Sequence, residues 1–144
     1  SEFIITDSGP VLVEVNYRSI GDGREFLLNN LSHHQWFSTI LKLHLGDKLE
    51  LDFTIQGSAQ VHYVVADTSG TIAGTSTSFI HQEGDIVTQQ QVLKPAGEHI
   101  QQSYSNKDYL ARISISSPSG QSLQPSLKQA LATFNLVPVE EVTA

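Results

Sequence analysis

Apolar residues recur at every second position through much of this chain. That period of two is the signature of a half-buried β-strand, whose successive side chains point to opposite faces of a sheet. Val11, Val13, Val15 and Tyr17 carry it first, and Phe26 and Leu28 mark a short second strand. From Phe37 onward Leu41, Leu43 and Leu45 are apolar, while Lys42 and His44 fall on the opposite phase. After Gly46-Asp47, the residues Leu49, Leu51, Phe53 and Ile55 alternate with Lys48, Glu50, Asp52 and Thr54. The link is short enough for a hairpin or for a bend within one long strand. This reading puts the pair Leu41–Ile55 at the centre of the core. Between Ser32 and Leu43 a helix competes with it, because Trp36, Ile40 and Leu43 also fit one helical face; the strand is preferred.

Ala59, Val61, Tyr63 and Val65 continue the alternation, and Asp67-Thr68-Ser69-Gly70 reads as a turn. Thr75, Thr77 and Phe79 predict a Thr-rich edge strand. Glu83-Gly84-Asp85 is another turn, followed by strands over 86–93, 98–104 and 109–116. About eight or nine strands separated by roughly 8–12 residues fit an all-β fold, a two-sheet antiparallel β-sandwich of jelly-roll type. Past Ser117 the pattern changes. Pro118-Ser119-Gly120 forms a loop, Pro125 suits a first helical turn, and Leu127, Ala130, Leu131 and Phe134 recur at helical spacing. Residues 1–117 are therefore the sandwich core. Residues 118–144 are a short helix and an extended tail, packed on the same domain.

Of the 144 residues only 16% are charged, and the net charge is −7 with no run of Lys or Arg. Such a field repels a phosphate backbone, so nucleic acid is not an expected partner. There is no cysteine, which removes disulfide scaffolds, thiolate zinc sites and thiol nucleophiles. No stretch approaches the roughly 20 apolar residues of a membrane span. Membrane attachment would come only through a segment outside this sequence. Ser1-Glu2-Phe3 is of the kind a cloning site leaves, so a leader or anchor is not excluded.

Four histidines fall where neighbouring strands can bring imidazoles together: His44, His62, His81 and His99. They are the candidate metal ligands. Against that role, metal sites usually bring a carboxylate or tight local spacing, neither H-E-x-x-H nor H-x-H occurs, and ordinary strand-surface histidines are the stronger reading. Asp47, Asp67 and Asp85 sit in predicted turns without the dense carboxylate run of a calcium loop. No G-x-S-x-G elbow and no phosphate-cradling glycine motif is present, so no catalytic residue is assigned and no cofactor is expected. Trp36, Phe37 and Tyr104 are the aromatic residues left over for a ligand platform, since Tyr17, Phe53, Tyr63 and Tyr109 fall on buried phases.

Between about Phe26 and Ser116 the chain resembles two related sandwich types, the GOLD (Golgi dynamics) domain and the bacterial pre-peptidase C-terminal domain. The segments that carry the likeness are "LHLGDKLELDFTIQG", "VHYVVADTSG", "KPAGEHIQQSYSN" and "YLARISIS". The cysteine pair common in GOLD domains is missing, and Glu98-His99 stands where an aromatic is usual. The resemblance implies a non-catalytic extracytoplasmic module and carries over no catalytic residues. The expected function is accordingly protein interaction or self-association at the cell exterior or surface, or in a periplasm. The alternative is a module that binds carbohydrate or another small ligand.

Overall fold

One strand organises the molecule. In the computed structural model, which describes residues 1–16, 18–19, 21, 23–32, 35–49, 54–102 and 108–139, the strand Tyr109–Ser117 is buried along nearly its whole length. It lies inside a four-stranded antiparallel sheet, between Ser58–Val65 on one side and Ile86–Val92 on the other, with Phe79–Glu83 at the far edge.

In chain order the elements are β1 (Glu2–Thr6), β2 (Gly9–Glu14), α1 (Arg24–Leu31), α2 (Trp36–His44), β3 (Ser58–Val65) and β4 (Gly70–Thr75). They continue with β5 (Phe79–Glu83), β6 (Ile86–Val92), β7 (His99–Ile100), β8 (Tyr109–Ser117), α3 (Gln124–Thr133) and β9 (Leu136–Val139). Among the described residues the chain is β-rich, with three helices and several antiparallel sheets, none of them closed. The strands form the order β3-β8-β6-β5, a smaller sheet β7-β4-β9, and a separate hairpin β1-β2.

The two phases of β8 explain its burial. Ile113 and Ile115 point to one face and pack with Leu123, Leu127 and Ala130 from α3 and the turn before it. Ser114 and Ser116 point to the other face, where α1 crosses and Asn30 Nδ2 lies 3.5 Å from Ser116 Oγ. Small hydroxyl side chains there let a helix approach closely while their oxygens remain within reach of polar partners. A second cluster of Ala66, Ile72, Ile100 and Leu110 joins the smaller sheet to this core, and Val64 packs against both clusters.

The predicted C-terminal helix is present as α3, with Pro125 in its first turn and Leu127 and Ala130 buried. The tail supplies an edge strand, β9, against β4. Strands β3, β6 and β8 fall within two residues of their expected bounds, and Gly84 turns β5 into β6 with φ 60°.

Other expectations need correction. The fold is not all-β in its first third. Phe26 and Leu28 lie in α1, whose buried Leu31 sits four residues after Leu27. The segment 37–45, expected as a core strand, is the helix α2. Its Leu41, Leu43 and Leu45 are exposed and not central. Leu45 at 71% exposure settles the matter. The cause is local. Gly46, with φ 82°, ends α2 in a left-handed conformation; its N–H bonds Leu43 O at 3.1 Å and the Asp47 N–H bonds Lys42 O at 3.0 Å. That pair of bonds is a Schellman stop, so the Gly-Asp signal read as a hairpin turn is a helix terminus. The partner half of the expected hairpin falls largely at residues 50–53, outside the described residues; Ile55 makes only an isolated bridge to Ser32.

The expected strand over 75–79 is interrupted at 76–78. There Gln90 Nε2 donates to Thr77 O at 2.8 Å, and Val92 N donates to Ser78 Oγ at 2.9 Å. Side chains thus replace the ladder for three residues. The expected strand 98–104 is reduced to His99–Ile100, with Gln102 N turned onto Ser69 Oγ at 3.0 Å.

At one end of the large sheet Asp85 clasps the turn after β8. Its Oδ2 accepts from Ser117 Oγ and from Ser119 N, each at 3.2 Å. The Ser119 side chain, assisted by Ser117, holds the Asp85 carboxyl below its usual value of 3.8 against the opposing effect of burial. A depressed carboxyl pKa contributes stability above its unfolded value and loses it as pH falls through the lower folded value. Urea unfolding from about pH 4.5 downward should therefore fall less steeply for Asp85→Asn than for the native chain. Equal slopes would show that the clasp contributes nothing.

Candidate functional site

A broad groove runs between α1 and the sheet face that carries Ser114. Its volume is about 730 Å³. The floor is set by strand register: Ser114 pairs with Gln89, and Arg112 with Gln91 in the next row. Arg112 Nη2 donates to Gln91 Oε1 at 2.7 Å, a cross-strand pairing that holds the guanidinium flat along the sheet. Gly23 opens α1 at φ 84°, and a Cβ there would come within 2.4 Å of Arg112 Nη1. The bare glycine therefore makes room for the arginine.

The wall opposite is aromatic. Phe26 is 60% exposed, lines the groove, and packs its ring 4.9 Å from Phe37 at an interplanar angle of 51°. One ring beside amide, hydroxyl and guanidinium groups offers both a stacking surface and directional hydrogen bonds. At the end of the same face Tyr63 stacks on Tyr109 at 4.2 Å, with the Arg24 guanidinium 5.9 Å from the Tyr63 ring centroid. Both tyrosines are half-buried, as their phases predict.

The aromatic residues singled out in the sequence are only partly brought to this site. Phe37 reaches it through its contact with Phe26. Trp36 opens α2, tied to α1 by its backbone N–H donating to Asn29 Oδ1 at 3.0 Å; the indole is half-buried with Nε1 turned inward. It is no open platform. Tyr104 lies outside the described residues.

The candidate metal ligands do not converge. His44 is exposed at the end of α2, and His99 belongs to the small sheet, its Nδ1 3.4 Å from Thr71 Oγ1. His62 on β3 and His81 on β5 share a sheet face but occupy its two outer strands. Three interstrand spacings, about 14 Å in all, separate such positions. His81 lines a smaller cavity of about 200 Å³ beneath α3, together with Phe79, Glu83 and Thr88. Among the described residues no three His, Asp or Glu side chains are grouped closely enough to hold a metal.

Sequence reasoning missed Phe26, Gln91 and Arg112 as groove residues. Gln91 and Arg112 read as ordinary solvent-phase strand positions, and only the pairing of β6 with β8 sets them side by side. The signal that was there is Gly23-Arg24, a glycine opening a helix, which reads as a helix start only if Phe26 is not taken for a strand. The segment "LHLGDKLELDFTIQG", which carried part of the GOLD-like resemblance, begins in the last turns of α2 rather than in a strand. No family model, no curated protein and no solved structure matches this chain.

Proposed function

We propose that this chain is a non-catalytic, extracytoplasmic module that works through its contact surfaces as part of a protein assembly. One observation carries the reading: the hairpin β1-β2 holds Phe3, Ile4, Ile5, Val11, Leu12 and Val13, every one more than half exposed. Isolated apolar side chains on a surface are ordinary, but six on one small ribbon form a patch of the kind that marks an interaction site. The low charge and the hydroxyl- and amide-rich composition fit an exported surface. The two cores that meet at Val64 support reading the larger and smaller sheets as the layers of an open sandwich.

Light scattering on the full chain, alone and with an extract of its source cells, tests the assembly role. A mass above that of one chain is expected in at least one condition, and the double variant Phe3→Ser/Leu12→Ser should abolish it. A single-chain mass in both conditions, or robust turnover of a substrate, overturns the proposal. A second reading, a saccharide bound in the groove, is favoured by Phe26 standing beside Gln89, Gln91 and Arg112. A glycan array with Phe26→Ala as its control separates the two: signal lost in that variant supports the groove, and an array blank for the native chain removes it.

A further inference from the structure

The hairpin differs from an ordinary surface ribbon in being apolar on both sides. Its register pairs Phe3 with Leu12, Ile4 with Val11 and Ile5 with Pro10. Phe3, Ile5 and Leu12 therefore share one face, and Ile4 and Val11 the other, with Val13 at a bulge between Leu12 and Glu14. Strands apolar on both phases are those that fold buried on both phases. A two-stranded hairpin without cover is marginal in water. Yet among the described elements neither β1 nor β2 packs substantially on anything but its mate.

The other large uncovered apolar surface is on the same chain. Helix α2 and the residue after it expose Phe37, Leu41, Leu43 and Leu45. The charges of the two surfaces are opposed. Residues 1–16 contain Glu2, Asp7 and Glu14 and no Lys or Arg, whereas Lys42, His44 and Lys48 lie on or just beyond α2 with Asp47 as the one acid. The bulge at Val13 sets Glu14 opposite Glu2, so Glu14 shares the face of Ile4 and Val11.

We propose that the hairpin is an arm that inserts into a second copy of this chain. Its Ile4/Val11 face seats on that copy's α2, bringing Glu14 toward Lys42, and its Phe3/Ile5/Leu12 face stacks on the other hairpin across a two-fold axis. This rests on the assembly role proposed above and names its partner. The areas suit it. A reciprocal exchange covers the hairpin and the Phe37/Leu41/Leu45 stripe of α2 twice, on the order of the 1,200–2,000 Å² that stable interfaces bury. A membrane is the poorer occupant. Strands of five and six residues fall short of the roughly 9–11 needed to cross the hydrocarbon, and the acidic ribbon is repelled by anionic lipid.

Sedimentation equilibrium of the full chain should show a dimer. Ile5→Lys and Val11→Lys, on opposite faces, should each weaken it by about 100-fold. Lys42→Glu should weaken it about tenfold, and adding Glu14→Lys in the same chain should restore it. Near-ultraviolet circular dichroism of the Tyr63–Tyr109 stack shows that each variant keeps its folded body. Because the chain has no cysteine, a mixture of Ile4→Cys and Leu41→Cys chains treated with a short bis-maleimide should give only the mixed cross-link. A cross-link between two Ile4→Cys chains in its place, or one face tolerating Lys while the other does not, overturns the arrangement. A monomer that captures a different partner overturns it and leaves the assembly role standing; a monomer that captures none overturns both.

Discussion

Ile113→Ala should lower the free energy of unfolding by about 4 kcal/mol, a large share of what a marginally stable domain has to lose. Ile113 is fully buried on β8, the strand flanked by β3 and β6, and its side chain meets Leu123, Leu127 and Ala130 beneath α3. Truncation removes three carbons from a place where neighbours on two strands and a helix are already held in register. The void cannot close without unseating α3. Urea denaturation would show the loss as a lower midpoint at unchanged slope. Ile80→Ala, two strands away on the edge strand β5 and 71% exposed, should change stability by less than about 0.5 kcal/mol. Similar losses at the two positions would mean that α3 does not cover the sheet as described.

The second large effect is expected at a glycine. Gly57 precedes β3 with φ 92°, and a Cβ there would lie 2.0 Å from Ser117 O and 2.7 Å from Pro118 Cα. Both obstacles are backbone, and they belong to the end of β8, where Ser58 pairs with Ser117. Relief requires separating the first rung of the longest ladder in the molecule. Gly57→Ala should therefore cost about 3 kcal/mol or more. Gly84→Ala supplies the comparison: its φ is also positive, 60°, but nothing stands within 4 Å, so only the conformational cost of about 1 kcal/mol applies. If the two alanines cost the same, the close approach at Ser117 is not there.

How far the sequence foretold these features depended on how many elements had to act together. Strand β8 was legible because Ile113 and Ile115 alternate with serines, and α3 because Leu127, Ala130 and Leu131 alternate with nothing but helical spacing. Helix α2 was not, because Leu41, Leu43 and Leu45 satisfy a period of two while Phe37, Leu41 and Trp36, Ile40 satisfy a spacing of four. Exposure then left no burial pattern to decide between them. The glycine that terminates α2 is the same residue type that would have closed a hairpin. Alternation in Val11 and Val13 predicted a strand correctly, but the absence of a covering layer is a property of the whole arrangement. The groove was least legible of all. Arg112 meets Gln91 across a ladder between residues 21 apart in the chain, and the wall that faces them comes from a helix read as a strand.

The place of β8 also bears on how the chain is made. Its partners β3 and β6 are synthesised first, yet neither is the other's neighbour, and the sheet has no middle until residue 117 has emerged. Ser58 must wait for Ser117. Contacts of such long sequence separation slow folding, and an unfinished sheet leaves strand edges and apolar ribbons open to other chains. The N-terminal hairpin, complete within its first 14 residues, is available throughout that interval.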